Sequence, residues 1–580
     1  MLDGTVVVTP FEAAALVVRQ WLDGDGAAFA TRSHKPTRRI KMDAWDIELD
    51  HPKEGRQGIQ LSLLPDFPVT PPQIHFDASL CLVWPHVEED GKFCHGVEPA
   101  PGDYSSPVQI VEEVLERLSR FWVNTQNHAW LISEFQAERQ SYWLRFCWAR
   151  HKALGAQAPA AVRIVTPPLT QVTEGAVAGY FPKGQGGGTS VLVVTPGDQD
   201  PHLLAQRHRW DIGMLTRGSA LYIPIPEGAQ WTPDVWPRDI VALAALVDYL
   251  ADVPGRFMEW VTKVRGGKNK QQSLTIIFAE PSVCYGYLIT PSVMEGLLPP
   301  RVTPIKTERI DADWALARDL GLASLHQRRG KRVLLLGCGS LGSPVSELLA
   351  RAGVGTIDIV DKETLEAANC ARHLLGANHI GQSKAELVKL RLTALVPEVK
   401  VNAHHASVSH WLAKQCEADV FDLVIDCTGE STTRTLLTHV RQSVLGRGAI
   451  VLAWMEPFCA ATHVVHINAH DVWPSDDPVE KVNVASWERN GRVLLPACGS
   501  GFSPYGAADA WQAAGFVTER VLSILDDQTC TSQIWSWLRA SVYFERTGAV
   551  ASLGDLVPQS DDPFHSIQVS RDFSETLHHA

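Results

Sequence analysis

An apolar strand that runs straight into glycines constrains this chain more than any other feature. Val333-Leu334-Leu335-Leu336 is followed by Gly337-Cys338-Gly339-Ser340-Leu341-Gly342-Ser343, a GxGxxG spacing at a strand-to-helix turn. Glycines allow the tight turn and let the backbone approach a phosphate. The next helix, with Pro344 in its first turn, offers free N–H groups and the positive end of its dipole. From about 310 onward apolar segments at 333–336, 357–360 and 422–426 alternate with helical patterns, which predicts a parallel, doubly wound sheet. Asp361 ends the second strand, where an acid can bond ribose hydroxyls. Up to this point a nicotinamide and an adenine nucleotide fit equally well.

The following residues separate the two. Asn369 and Arg372 lie in ANCARH, Lys384 opens a helix in IGQSKAELV, and Asp426 ends a strand in DLVIDCTGEST. Two cations would neutralise a triphosphate and a strand-end carboxylate could hold Mg²⁺; a dehydrogenase does not need that set. Taken together, residues 330–435 resemble the adenylation domain of ubiquitin-activating enzymes and their bacterial relatives, the ThiF/MoeB family. That family's pattern is GxGxxG, D, NxxR, GxxK and DxTD. It reads here as Gly337/Gly339/Gly342, Asp361, Asn369 to Arg372, Gly381 to Lys384, and Asp426-Cys427-Thr428. Gly429 replaces the last acid, with Glu430 beside it, which leaves Asp426 as the candidate metal ligand. The resemblance implies ATP and Mg²⁺ as cofactors and adenylation of a carboxylate. It also implies a homodimer and an arginine upstream of the first strand, supplied across the dimer, for which Arg309, Arg318, Arg328 and Arg329 are candidates.

The N-terminal part has its own signature. A helix is predicted at 10–22, strands at 45–50 and 59–64, and an extended path at 67–76, where Pro68, Pro71 and Pro72 exclude helix. An amphipathic helix follows from Pro107, with Ser106 as its cap and Val111, Val114, Leu115, Leu118 and Trp122 on its apolar face. A Trp-rich helical segment, 128–153, closes the unit. The run FPVTPP (67–72), Trp84-Pro85-His86, Gly91-Lys92-Phe93-Cys94 and Tyr104-Ser105-Ser106-Pro107 resembles the ubiquitin-conjugating enzyme fold. The resemblance implies that Cys94 carries a thioester. His86, eight residues earlier, stands where the family has an asparagine that supports the oxyanion; an imidazole N–H could donate the same bond, or His86 is a turn residue and His95 is the donor. Tyr104 replaces a tryptophan. Thiolate is nucleophilic near neutral pH and a thioester keeps an acyl group reactive. Cys81, in an apolar LCLVW context, reads as buried.

A second cysteine, Cys498 in LLPACGSGFSPYGAAD, falls between a strand and a helix predicted at 505–524. Activating enzymes pass the adenylated carboxylate to such a residue. Cys459 is an alternative, and direct transfer to Cys94 is another. Eleven cysteines without a CxxC pair argue against structural zinc and for free thiols in a reducing compartment. A net charge of −13 argues against a nucleic-acid partner. No apolar run reaches the ~20 residues of a membrane span, and no export signal is evident at the N-terminus, so a cytoplasmic protein without membrane association is expected.

The expected fold class is α/β in three parts: a ubiquitin-conjugating-like α+β domain at 1–155, a middle α/β linker domain of unassigned role at 156–308, and a doubly wound ThiF/MoeB-like adenylation domain at 309–580. KGQGGGTS (183–190) reads as a hairpin, and the polar tail after about 555 as mobile. This order of parts resembles the activating–conjugating fusions of CBASS anti-phage operons. That resemblance implies a relay from adenylate to Cys498 to Cys94 to a target lysine, with the C-terminus of a cyclic-nucleotide synthase as the acyl donor. The alternatives are a sulfur-carrier adenylyltransferase and a non-catalytic scaffold for ubiquitin-like proteins.

Overall fold

The computed structural model describes residues 9–34, 43–99 except 52 and 54, 105–153, 161–167, 170–181, 190–197, 199–265, 273–290, 299–316, 322–396, 398–491, 493–494, 501–527 and 531–578. The chain divides into two compact units, Met1–Ala205 with Trp210–Arg309, and Gln206–Arg209 with Ile310–Ala580. Among the described residues no helix is long and apolar enough to cross a membrane.

The first unit begins with helix Pro10–Asp23, set by a capping box. Thr9 Oγ1 accepts from the Glu12 N–H and the Glu12 carboxylate accepts from the Thr9 N–H. Its buried stripe is Ala14, Ala15, Val18 and Leu22. An antiparallel sheet follows in sequence order: Ala30–Arg32, Asp43–His51, Gly55–Leu63 and Gln73–His75. Helix Pro107–Asn124 buries Ile110, Val111, Val114, Leu118 and Phe121. Helical spacing puts these on one face, which packs with Trp45, Leu61, Phe76, Trp84 and Phe93. Leu115 and Trp122, expected on that face, lie half-buried at its edge. Ser106 is the N-cap residue with Pro107 in the first turn, but its side chain makes no capping bond.

The Trp-rich segment is two helices, His128–Ala137 and Arg139–Ala153. The first lays Trp130 and Leu131 against the first core, but most of the buried side chains of the pair serve a second sheet. Phe135, Tyr142, Trp143 and Phe146 share a core with Leu221, Trp231, Trp236, Trp260, Phe278, Tyr285 and Tyr287. Trp143 Nε1–H donates to the Ile305 carbonyl at 3.2 Å, and Arg139 Nε binds the Glu280 carboxylate at 2.8 Å. That second sheet has eight strands, in the order 301–305, 284–290, 273–279, 214–224, 173–181, 191–196, 161–164 and 307–309. Helices Ile240–Leu250 and Arg256–Arg265 bury Leu243, Val247, Phe257 and Trp260 in the same core. The glycine cluster 183–190 lies outside the described residues apart from Ser190.

The second unit is built on an eight-stranded sheet in the order 400–404, 356–360, 332–336, 423–426, 449–455, 461–467, 533–539 and 566–572. The first five strands are parallel and the last three antiparallel. Strands 332–336 and 423–426 neighbour each other although two strands intervene in sequence, so the chain reverses direction across the sheet between them. In such sheets ligands bind outside the carboxyl ends of the strands at that reversal. Val333, Leu335, Ile357, Ile359, Leu423 and Ile425 are fully buried, as parallel strands covered on both sides require. The tail differs from expectation. Ser566–Asp572 pairs along its whole length with Gln533–Arg539, and helix Phe573–His578 buries Phe573 and Leu577. A polar tail carries edge strands well, because one of its faces stays wet.

Candidate active site

At the carboxyl end of strand Arg332–Leu336 the three glycines have three different roles. Gly337 has φ +81°, and a Cβ on it would meet Thr428 at 3.0 Å. A Cβ on Gly342 would lie 2.0 Å from the Gly337 carbonyl, so only glycine lets helix Gly342–Arg351 start this close to the strand. A Cβ on Gly339 would meet nothing within 4 Å, so its backbone faces open space. Cys338, buried between them, is gripped at both ends. Its N–H donates to Asp361 Oδ2 at 2.8 Å, and its carbonyl accepts from His373 Nε2–H at 2.7 Å. The Leu375 N–H occupies His373 Nδ1, and burial pushes the His373 pKa down, so this imidazole is neutral. Asp361 Oδ1 also accepts from the Glu363 N–H at 2.7 Å.

A cavity of about 340 Å³ opens above this turn, lined among others by Gly337, Gly339, Asp361, Ser407, Thr428 and Glu430. Its walls are the carboxyl ends of strands 332–336, 356–360, 400–404 and 423–426. Lys384 is buried at helix position 1 of Lys384–Leu395, and its Nζ pairs at 2.5 Å with Glu363, a cavity residue. Asp426 sits beneath Thr428. Its Oδ1 accepts both the Thr428 N–H at 2.9 Å and the Thr428 hydroxyl at 2.7 Å. Among the described residues Oδ2 has no hydrogen bond. Burial raises the Asp426 pKa to about 6, against the lowering effect of Thr428. Asn369 is turned to its own helix end, where Oδ1 accepts from the Glu366 N–H at 3.0 Å. Arg372 lies outside the cavity lining, 4.5 Å over the Tyr505 ring, with Nη1 donating to the Ser503 carbonyl at 3.1 Å.

Of the upstream arginines, Arg328 makes a two-pronged bond to Asp526 at 2.8 and 2.6 Å, Arg329 binds Asp313 and Glu398, and Arg309 donates to the Pro281 carbonyl. Arg318 lies outside the described residues.

In the first unit Cys94 is exposed at the end of a tight hairpin. Its N–H donates to the His86 carbonyl at 2.8 Å, and the Phe93 N–H donates to the Ile74 carbonyl at 2.7 Å. Gly91 makes the turn at φ +87°, where a Cβ would stand 2.1 Å from the Phe76 carbonyl. Phe93 anchors the hairpin with its ring 4.6 Å from that of Phe121. His86 adopts φ +59°, and its N–H donates to the Tyr142 hydroxyl at 2.9 Å. The His86 ring faces two acids, with Nε2 3.1 Å from Glu134 and Nδ1 3.8 Å from Glu138. His95 is occupied at both nitrogens: Nδ1 accepts from the Val97 N–H and Nε2 donates to the Pro72 carbonyl. Tyr104 falls outside the described residues.

Cys498 also lies outside them, although the flanking pairs Val493 with Phe502 and Leu494 with Gly501 are antiparallel partners. Cys459 is fully buried, and burial pushes its thiol up to about 12; the Cys81 thiol is pushed up to about 11 for the same reason. Neither is placed to act as a nucleophile. No group of three or more His, Cys, Asp or Glu residues is arranged to hold a metal among the described residues. Sequence reasoning missed Glu134, Tyr142 and Tyr505, and named Thr428 only as a motif position without its bond to Asp426. Tyr505 lies inside a motif already singled out; nothing local marks the other two.

Residues 312–447 match the ThiF family, so the doubly wound half of the second unit has a ThiF-type adenylation fold. "Adenylyltransferase and sulfurtransferase uba4" of Pyricularia oryzae is 39% identical over 21% of this chain and 25% of its own length. "Probable adenylyltransferase/sulfurtransferase MoeZ" of Mycobacterium tuberculosis is 33% identical over 25% of this chain and 38% of its own. "ATP-dependent ubiquitin transferase-like protein Cap2" of Pseudomonas aeruginosa is 27% identical over 36% of this chain and 39% of its own. The chain thus spans between a quarter and two-fifths of the length of these relatives.

Proposed function

We propose that this chain activates the C-terminal carboxylate of a protein with ATP, relays it through Cys498 and Cys94, and conjugates it to a lysine. When bound, ATP–Mg²⁺ would supply an electrophilic α-phosphorus, to which a carboxylate oxygen of the substrate bonds as pyrophosphate leaves. The residues around the cavity suit that ligand. The Gly339 backbone leaves room for phosphate, Asp361 closes the ribose side, and Lys384, paired with Glu363 behind the wall, offsets that carboxylate's charge. Asp426 Oδ2 is a single unoccupied carboxylate oxygen, which is what Mg²⁺ takes alongside phosphates and water. The Cys498 thiolate then displaces AMP from the acyl group, Cys94 takes that group by thioester exchange, and an attacking amine releases the Cys94 thiol. His86, held by Glu134, is the group poised to support that last step.

The observation that carries this reading is the exposed Cys94, on a hairpin fixed by backbone bonds and a buried aromatic, in a chain that also has a ThiF-type nucleotide fold. The relative named as ubiquitin-transferase-like supports it. By resemblance to the activating–conjugating fusions of CBASS operons, the acyl donor is the C-terminus of a cyclic-nucleotide synthase and the setting is anti-phage defence, with the enzyme a cytoplasmic homodimer. Carrier-dependent pyrophosphate exchange by the full chain should survive Cys94→Ala and Cys498→Ala and be lost in Asp426→Ala. Normal loading of Cys94 in Cys498→Ala would sink the two-cysteine relay.

A second reading is favoured by the uba4 and MoeZ relatives: a sulfur-carrier adenylyltransferase that uses only the second unit. It predicts exchange with a sulfur-carrier protein and no adduct on Cys94.

A further inference from the structure

Resting on the adenylation reading, we infer that Tyr505, seven residues beyond Cys498, is a positioning residue of the nucleotide site and acts through Arg372. Most arginines of the second unit near the sheet, such as Arg328, Arg332, Arg434 and Arg539, are paired with a carboxylate, whereas Arg441 and Arg571 spend their donors on backbone carbonyls and a serine. Arg372 has no carboxylate partner among the described residues. It is held by the Tyr505 ring and one bond to the Ser503 carbonyl. A guanidinium has five N–H donors in a rigid plane, and this arrangement uses one. The others remain available to an anion while the stacked ring fixes the plane.

The other end of Tyr505 is also committed. Its hydroxyl is 2.6 Å from Ser340 Oγ, within the Gly337–Gly342 turn. One side chain therefore ties the free cation to the glycine turn where phosphate would lie. Both contacts come from the stretch Ser503–Tyr505, whose other end is fixed by Ser503 Oγ accepting from the Phe458 N–H at 2.7 Å. Because Arg372 stands outside the cavity lining, the anion it would take is the outer end of a triphosphate whose inner phosphates lie at that turn. The polypeptide that follows Cys498 is thereby part of the adenylation site, and not only a carrier of the acyl acceptor.

The test is ATP binding by the full chain with Mg²⁺, measured calorimetrically, and ATP KM against kcat in pyrophosphate exchange. Tyr505→Ala should weaken ATP binding about tenfold and raise KM with little change in kcat, while Tyr505→Phe, which keeps the ring, restores most of the affinity. In the double variant Tyr505→Ala/Arg372→Ala the loss should equal that of Arg372→Ala alone, because one residue acts through the other. Full additivity, or unchanged affinity with a lowered melting temperature, would reduce Tyr505 to a packing residue and overturn the inference. Tighter ATP binding in Tyr505→Ala would make Tyr505 a latch and also overturn it. A wild-type chain that binds no ATP would overturn the adenylation reading and this inference with it; ATP binding by wild type and Tyr505→Ala alike overturns the inference only.

Discussion

In the Gly337–Gly342 turn the backbone itself is the working surface, and Asp361 and His373 hold it by both polar groups of Cys338. In the His86–Cys94 hairpin the group we propose to work is one side chain, and the backbone is fixed from behind by Phe93 in an aromatic core and by His86 bonded to Tyr142. The first design tolerates almost no side-chain change, because an added Cβ collides at Gly342 or fills the space beside Gly339. The second tolerates many changes, provided the core still packs and a thiol remains exposed. A backbone site is written as a short motif; a side-chain site is written as a fold.

That contrast can be broken, and the Cys94 side gives the largest effect. Cys94→Ala should cut conjugation at least about a hundredfold, since it removes the proposed nucleophile, and leave both the melting temperature and pyrophosphate exchange unmoved. Gels of target adducts and an exchange assay on one preparation check this. The turn should behave in the opposite way. Gly342→Ala forces backbone apart and should cost about 1–3 kcal/mol of stability along with ATP binding. Gly339→Ala should leave stability within about 0.5 kcal/mol yet weaken ATP binding, and equal melting temperatures for the two variants would refute the division of roles. Next in size, Glu134→Gln should slow lysine transfer from Cys94 about tenfold without slowing its loading, as measured by single-turnover discharge.

The smallest effect concerns pH. His463 is fully buried, with Nε2 2.9 Å from Glu456 and Nδ1 2.8 Å from Ser536. Burial, outweighing Glu456, holds its pKa below the ordinary 6.5. The unfolded chain therefore binds this proton first, and stability is lost as pH falls below about 6.5, with a slope of up to about 1.4 kcal/mol per pH unit. His463→Gln should flatten that part of a denaturation profile; an unchanged slope would mean the imidazole is not held neutral.

Much of the scaffold was legible in the sequence because its signals are local. Strands 333–336, 357–360 and 422–426 fall within a residue of those observed, as does the start of helix Pro107–Asn124. Gly337, Gly339 and Asp361 gather round one cavity for the same reason, since they lie at the ends of two neighbouring strands. What was not legible depends on partners far away in the chain. Glu134 meets His86 across 48 residues and Tyr505 meets Ser340 across 165. Arg372 was expected to stand free for phosphate, and the ring beneath it has no signature at that distance. Helices 128–153 were assigned by proximity to the first sheet, whereas Trp143 and Phe146 had better-matched aromatic partners in the second.

The last strand of the large sheet also bears on solubility. Gln533–Arg539 carries Trp535 and Trp537 and would, at an open edge, offer another chain an apolar template. Ser566–Asp572 covers that edge and turns Ser566, Gln568, Ser570 and Asp572 to solvent. A Ser566–Asp572 strand with those outward residues replaced by apolar ones would keep the core contacts of Phe573 and Leu577 and exchange a polar border for a sticky one, so self-association is what such a change should produce first.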